Sequence, residues 1–118
     1  MKAFSYPYSL RLHLKRDFQR VFEQGRKTVQ PEVIFWHRER GDPGPARLSV
    51  IVSGKLAEAV GRNRIKRLIR ESFRRARPRF KPGFDIVVYP RPGRCRWSGY
   101  EQARRSLESS WQKAGFWL

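Results

Sequence analysis

The sequence predicts a single domain of the α/β or α+β type, a sandwich of helices on a small sheet. Three observations carry that expectation. Residues 32–38 and 47–53 alternate in strand fashion, and residues 84–89 form a third run rich in strand formers. Apolar residues recur at helical spacing in residues 15–24, 61–76 and 100–114. The chain has 118 residues with 8 Phe, 4 Trp and 4 Tyr, which suffices for one modest core and is too short for several domains. The order is helix, strand, strand, helix, strand, helix, a layered arrangement. Wholesale disorder and a large multi-domain enzyme are excluded.

Residues 1–9 read as a loose arm containing Pro7, and Leu10, Leu12 and Leu14 lead extended chain into the first helix. In residues 15–24, Phe18, Val21 and Phe22 share one helical face, and Gly25 is a natural stop. In residues 32–38, Val33, Phe35 and His37 point one way and Ile34 and Trp36 the other. GDPGP at 41–45 is a turn or loop. The next strand, residues 47–53, sets Leu48, Val50 and Val52 against Ser49, Ile51 and Ser53. After a connection at 54–60, the helix of residues 61–76 gathers Ile65, Leu68, Ile69, Ser72, Phe73 and Ala76 into a stripe about 140° wide. Pro78 and Pro82-Gly83 end it. Residues 84–89 (FDIVVY) form the third strand. Ser98 and Glu101 have the spacing of a capping box. The last helix then carries Tyr100, Ala103, Leu107, Trp111 and Ala114 on one face up to Gly115, with Trp97, Trp111 and Trp117 packing it.

Lys and Arg number 27 against 10 Asp and Glu, a formal net charge of +17. Such charge repels itself in a compact chain, and a polyanionic partner relieves it. The cations are 20 Arg and 7 Lys, and the guanidinium fork suits phosphate and stacks on bases. Nucleic acid is therefore favoured over an anionic membrane, which calls for an amphipathic basic helix without an independent core. The lone Cys95 excludes an internal disulfide framework, and with His13 and His37 it cannot complete a closed four-ligand zinc site. No apolar run approaches the ~18 residues of a membrane span. The start MKAFSYPYSL lacks the apolar region of a signal peptide, so a cytoplasmic protein is expected. His13 and His37 are isolated and expected at the surface or in a groove. Cys95 stands between Arg94 and Arg96, cations that would lower its pKa. The acids, Asp85 among them, show no paired-carboxylate or metal spacing, so the protein alone is expected not to cleave RNA.

Residues 62–79, RNRIKRLIRESFRRARPR, hold nine basic residues and one acid, Glu71. Asn63, Lys66, Arg67, Arg70 and Arg74 form one polar face opposite the core stripe, a rigid row suited to phosphates along a folded RNA. A solvated face balanced by carboxylates would need more acids than Glu71, whose favourable pair is Arg75. Arg62, Asn63 and Arg64 stand where the connection enters the helix, the end that favours anions. Asn63 suits either a helix cap or a hydrogen bond to a base edge or ribose.

The stretch AVGRNRIKRLIRESFR at 59–74 closely resembles the signature of the bacterial ribonuclease P protein component. RLHLKRDFQRVFEQGR at 11–26 resembles the same family's N-terminal helix, ARLSVIVSGK at 46–55 one strand, and KPGFDIVVYPR at 81–91 its last strand. The blocks keep the family's order and spacing. The resemblance implies a single RNA-binding domain over residues 1–118 with an α+β fold: a two-layer α–β sandwich on a small mixed sheet, like domain 2 of ribosomal protein S5. A left-handed βαβ crossover is implied as well, against the general preference. It also implies a function. Such a protein joins a catalytic RNA, as one protein per RNA, and the pair hydrolyses precursor tRNA to remove its 5′ leader. Mg²⁺ is then held chiefly by the RNA, with no metal bound tightly by the protein alone.

The matching positions carry the family's roles. Arg62, Asn63, Arg64, Lys66, Arg67 and Arg70 match its RNA-facing motif; Arg74 continues their face, and Lys55 is a further phosphate contact. Phe18, Phe22 and Trp36 match aromatics of the cleft for the single-stranded leader, where stacking tolerates any base. The spacing of Phe18 and Phe22 equally suits a helix core. Gly54 replaces a usual basic residue, and Ala57-Glu58 replaces a usual Gly followed by Lys or Asn, which alters the contacts of that loop. The alternative reading is a structural RNA-binding protein, such as a small ribosomal protein.

Overall fold

The structure, a computed structural model, describes residues 15–55, 59–97 and 99–116. Helix α1 (Lys15–Gln24) leads into strands β1 (Arg26–Val29), β2 (Val33–Glu39) and β3 (Arg47–Val50). Helix α2 (Ala59–Ala76), a 3₁₀ turn at Arg77–Arg79, strand β4 (Phe84–Pro90) and helix α3 (Tyr100–Ala114) follow. The strands form one mixed sheet in the order β1-β2-β4-β3. β1–β2 and β2–β4 are antiparallel, and β3–β4 is parallel with α2 between them in the chain. This is the expected α+β architecture.

Alternation along the strands divides the molecule into layers. Val33 and Phe35 of β2, Leu48 and Val50 of β3, and Ile86 and Val88 of β4 are buried in the main core. The predicted stripe of α2 meets them through Ile65, Ile69 and Phe73, and α3 adds Ala103, Leu107 and Trp111. Phe80 and Phe116 fill the space between, with Phe80 edge-on to both Phe73 and Trp111 at 5.0 Å between ring centres. Among the described residues the opposite sheet face carries only α1, where Val21 and Val87 are buried with Phe18 and Trp36 packed against them.

Several expectations shift in detail. Strand β1 was not expected: RKTV is a short edge strand with three of its four residues exposed, so it shows no apolar alternation. It pairs with β2 from Arg26↔His37 to Val29↔Ile34. β3 ends at Val50 rather than residue 53, although the Ile51 N–H still donates to the Val88 carbonyl at 3.0 Å. Gly25 ends α1 through close approach, since a Cβ there would lie 2.4 Å from the carbonyl oxygens of Val21 and His37. Gly115 does adopt the left-handed conformation expected of a helix stop, with φ 83°. At the start of α3, Gly99 is the N-cap without a side-chain hydrogen bond and Glu101 pairs with Arg104, while the Ser98 half of the expected capping box falls outside the described residues. Ser98, the arm at 1–9, Leu10, Leu12, His13, Leu14, Ala57, Glu58 and Trp117 lie outside the described residues.

Candidate nucleic-acid interface

Helix α2 has no acidic residue in its first turn, and Arg62 and Arg64 stand at that end. A cation in the first turn of a helix, as Arg62 is here, costs about 0.3–1 kcal/mol at low ionic strength, a penalty that a bound phosphate reverses. Asn63, Arg64 and Arg67 are exposed, while Lys66 and Arg70 are half-buried. An Arg62 Nη1 donates to the Gly54 carbonyl at 3.5 Å, and an Arg64 Nη1 to the Trp97 carbonyl at 3.3 Å. The helix entry is thus tied on one side to the β3–α2 connection, where Lys55 is exposed, and on the other to the segment before α3.

The second half of α2 is different. Glu71 accepts from Arg74 at 2.9 and 2.6 Å and from Arg75 at 2.8 Å. Hydrogen bonding from Arg74 holds the Glu71 carboxyl below its ordinary pKa, opposed by burial and helped by Arg75. Glu71 therefore engages Arg74 as well as the expected Arg75, so Arg74 is less available to a phosphate than its place on the polar face of α2 suggests. Arg75 also lies over the Tyr100 ring, 4.7 Å from its centre, which joins α2 to α3.

The predicted aromatics converge on the other face of the sheet. Phe18 and Phe22 are stacked with centres 6.5 Å apart, and Phe22 meets Trp36 edge-on at 5.3 Å. Trp36 continues to Tyr89 at 6.2 Å, a residue the sequence reading had not assigned to this surface. Its signal was there in the alternation of Asp85, Val87 and Tyr89 along β4. Lys27 of the unexpected strand β1 sits over Trp36, its ammonium 5.7 Å from the ring centre. Phe22 is 43% exposed, and Phe18, Ile34, Trp36 and Tyr89 are half-buried. The four rings form a continuous, accessible aromatic strip, of the kind that bases stack on. The strip and the core stripe of α2 occupy opposite sheet faces.

One end of the strip is bounded by ion pairs. Asp85 on β4, 1% exposed, accepts from Arg40 Nη1 at 2.7 Å and from Arg47 Nε and Nη2, both at 2.8 Å. Arg47 also faces Asp17 of α1 at 3.6 Å, and Arg40 faces Asp42 at 3.0 Å. Asp17, Asp42 and Asp85 are therefore occupied by guanidiniums. Among the described residues, no three His, Cys, Asp or Glu side chains cluster to hold a metal.

One expectation holds and one is corrected. His37, 9% exposed, lines a groove with Gln24, Arg26, Arg38 and Phe84. Its ring lies 4.8 Å from Phe116, and its pKa is lowered by burial and then by Arg26. Cys95 is buried, and desolvation pushes its thiol up to about 12, with Glu32 adding to the effect. The neighbouring arginines Arg94 and Arg96 are exposed, so they do not activate it.

Among the described residues, no helix is long and apolar enough to cross a membrane. The family model for Ribonuclease P matches residues 6–115. A ribonuclease P protein component of Legionella pneumophila is 39% identical over 111 residues, 93% of each chain. One from Dictyoglomus thermophilum is 33% identical over 117 residues, covering 98% of this chain and 96% of that one. The RNase P protein of Staphylococcus aureus superposes with a TM-score of 0.83 at 29% identity, covering 92% of this chain and 98% of that one. That of Thermotoga maritima superposes with a TM-score of 0.74 at 33% identity, over 84% and 92%.

Proposed function

Because this chain belongs to the ribonuclease P protein family, and so is a subunit of a tRNA-processing endoribonuclease, we propose that its two surfaces divide the work. The entry of α2 docks the enzyme's catalytic RNA, and the aromatic strip holds the single-stranded 5′ leader of precursor tRNA. The observation that supports this reading is the strip itself: Phe18, Phe22, Trp36 and Tyr89 in edge and stacked contact, open to solvent on a sheet whose other face is filled. A surface of rings suits leaders of different sequence, since stacking contributes about 1–3 kcal/mol per base with little preference.

Arg62, Asn63, Arg64, Lys66, Arg67 and Arg70 serve as the RNA-docking row, with Lys55 at its flank. Arg74 contributes mainly when Glu71 releases it. On this reading the protein alone does not cleave RNA, and the Mg²⁺ that activates water belongs to the RNA, in keeping with Asp42 and Asp85 being engaged by Arg40 and Arg47. One protein joins one RNA, in the cytoplasm. The alternative of a structural ribosomal protein gives way to the family match.

Reconstitution tests the division of work. Adding the protein to a bacterial catalytic P RNA raises precursor cleavage at low Mg²⁺, and Arg67→Glu weakens that gain by weakening RNA binding. No gain with several such RNAs contradicts the reading.

A further inference from the structure

We propose that the ion-pair chain Asp17–Arg47–Asp85 is a strut that sets α1 over the sheet, and so positions the rings of Phe18 and Phe22 above Trp36 for the leader. This rests on the reading of the strip as the leader surface. Asp17, Arg47 and Asp85 are positioning residues here, acting through α1.

The need for a strut follows from how little else holds α1. The helix has ten residues and, among the described residues, is the only element on its sheet face. Its apolar anchor among the described residues is Val21 against Val87, with Phe18 and Trp36 beside them. Two of those four side chains are rings that the proposed ligand would use. A short helix held by one buried valine, and at its C-terminal end by an exposed hydrogen bond from Arg38 Nε to Gln24 Oε1 at 3.2 Å, can tilt or roll about that end, and either motion carries the ring of Phe22 away from Trp36.

The ion pairs supply a second anchor at the other end of the helix. Asp17 lies in the first turn of α1, one turn before Val21, and is 7% exposed. Its carboxylate faces Arg47 Nη1 at 3.6 Å. The guanidinium is itself fixed, because Asp85 grips it with two parallel hydrogen bonds at 2.8 Å. Asp85 in turn belongs to β4, an inner strand of the sheet, and also accepts from Arg40 at 2.7 Å. The sheet thus presents a cation of fixed position, and the helix brings a carboxylate to it. Phe18 follows Asp17 directly, so the pairing sets the ring that begins the strip. The pairing also balances the charge of Asp17, an acid of α1 beside Phe18.

The test compares holoenzymes reconstituted on one catalytic P RNA with wild-type protein, Asp17→Asn, Asp17→Glu, Arg47→Lys and Trp36→Ala. Each is titrated with precursor tRNA carrying a leader of several nucleotides and with one carrying a single nucleotide, and the affinity of each protein for the RNA is measured separately. Asp17→Asn is expected to weaken the long-leader substrate about threefold to tenfold, leaving the short-leader substrate and the RNA affinity unchanged. Asp17→Glu restores the long-leader affinity. Arg47→Lys keeps a cation beside Asp85 and loses the fork that reaches Asp17, so it shows the same selective loss and serves if Asp17→Asn does not fold. Equal losses with both substrates, a loss of RNA affinity, or no loss at all in the Asp17 and Arg47 variants would overturn the strut. If Trp36→Ala also fails to weaken the long-leader substrate, the leader reading itself is overturned.

Discussion

Arg47 grips Asp85 through two parallel hydrogen bonds, Nε to Oδ1 and Nη2 to Oδ2, both at 2.8 Å. The two residues sit on β3 and β4, directly paired across the parallel ladder of the sheet. Removing the acid leaves Arg47 and Arg40 facing each other in a site from which water is largely excluded. Asp85→Ala is expected to cost about 3–5 kcal/mol, read as a lowered midpoint in urea. A loss below about 1 kcal/mol, the range of surface pairs, would show that solvent reaches the site.

His37 makes stability depend on pH in a defined window. Burial and Arg26 lower its pKa from the ordinary 6.5, so the unfolded chain takes up this proton before the folded one does. Its contribution is fully present above about 6.5 and is lost as pH falls from there toward the lowered value. Melting temperatures of wild type and His37→Phe between pH 7.5 and 5 check this: the wild type falls more steeply. Parallel curves would contradict it.

Glu71 restrains the basic helix by engaging Arg74 and Arg75. Glu71→Gln is expected to tighten binding to the catalytic RNA and to steepen its salt dependence by about one to two in slope, as the released guanidiniums meet phosphates. The cost in stability stays under about 1 kcal/mol, as for other exposed helix pairs. Binding isotherms at several salt concentrations measure it, and an unchanged slope would place Arg74 and Arg75 outside the RNA contact.

Cys95 is expected to be inert in the folded protein, because its buried thiol is pushed up to about 12. A thiol reagent at neutral pH then modifies it only as fast as the protein opens, and at once in denaturant. Rapid modification under native conditions would contradict the burial.

The parts of this molecule legible in its sequence are those governed by local pattern. The alternation of Val33, Phe35 and His37, and the stripe from Ile65 to Ala76, appear in the structure on the faces expected. Gly115 ends α3 as its residue type dictates. What escaped depends on partners distant in the chain. β1 is a strand because β2 pairs with it, not because RKTV alternates. Arg40 and Arg47 find Asp85 across 45 and 38 residues, and no spacing rule joins them. Cys95 was misplaced because Arg94 and Arg96 flank it in the chain while its spatial neighbours are the core. The aromatic strip was half legible: Phe18, Phe22 and Trp36 were named, while Tyr89 and Lys27 joined only once the sheet order set β4 and β1 beside β2.

The central claim, that the aromatic strip is the leader surface, is tested most directly by precursor affinity as a function of leader length, with wild-type and Trp36→Ala holoenzymes on the same catalytic RNA. With wild-type protein the affinity rises over the first several nucleotides and then levels off. With Trp36→Ala the rise shrinks by about 1–3 kcal/mol, the loss of one stacked base, and the single-nucleotide substrate binds as before. An affinity indifferent to leader length, or a Trp36→Ala loss that is the same at every length, would contradict the account.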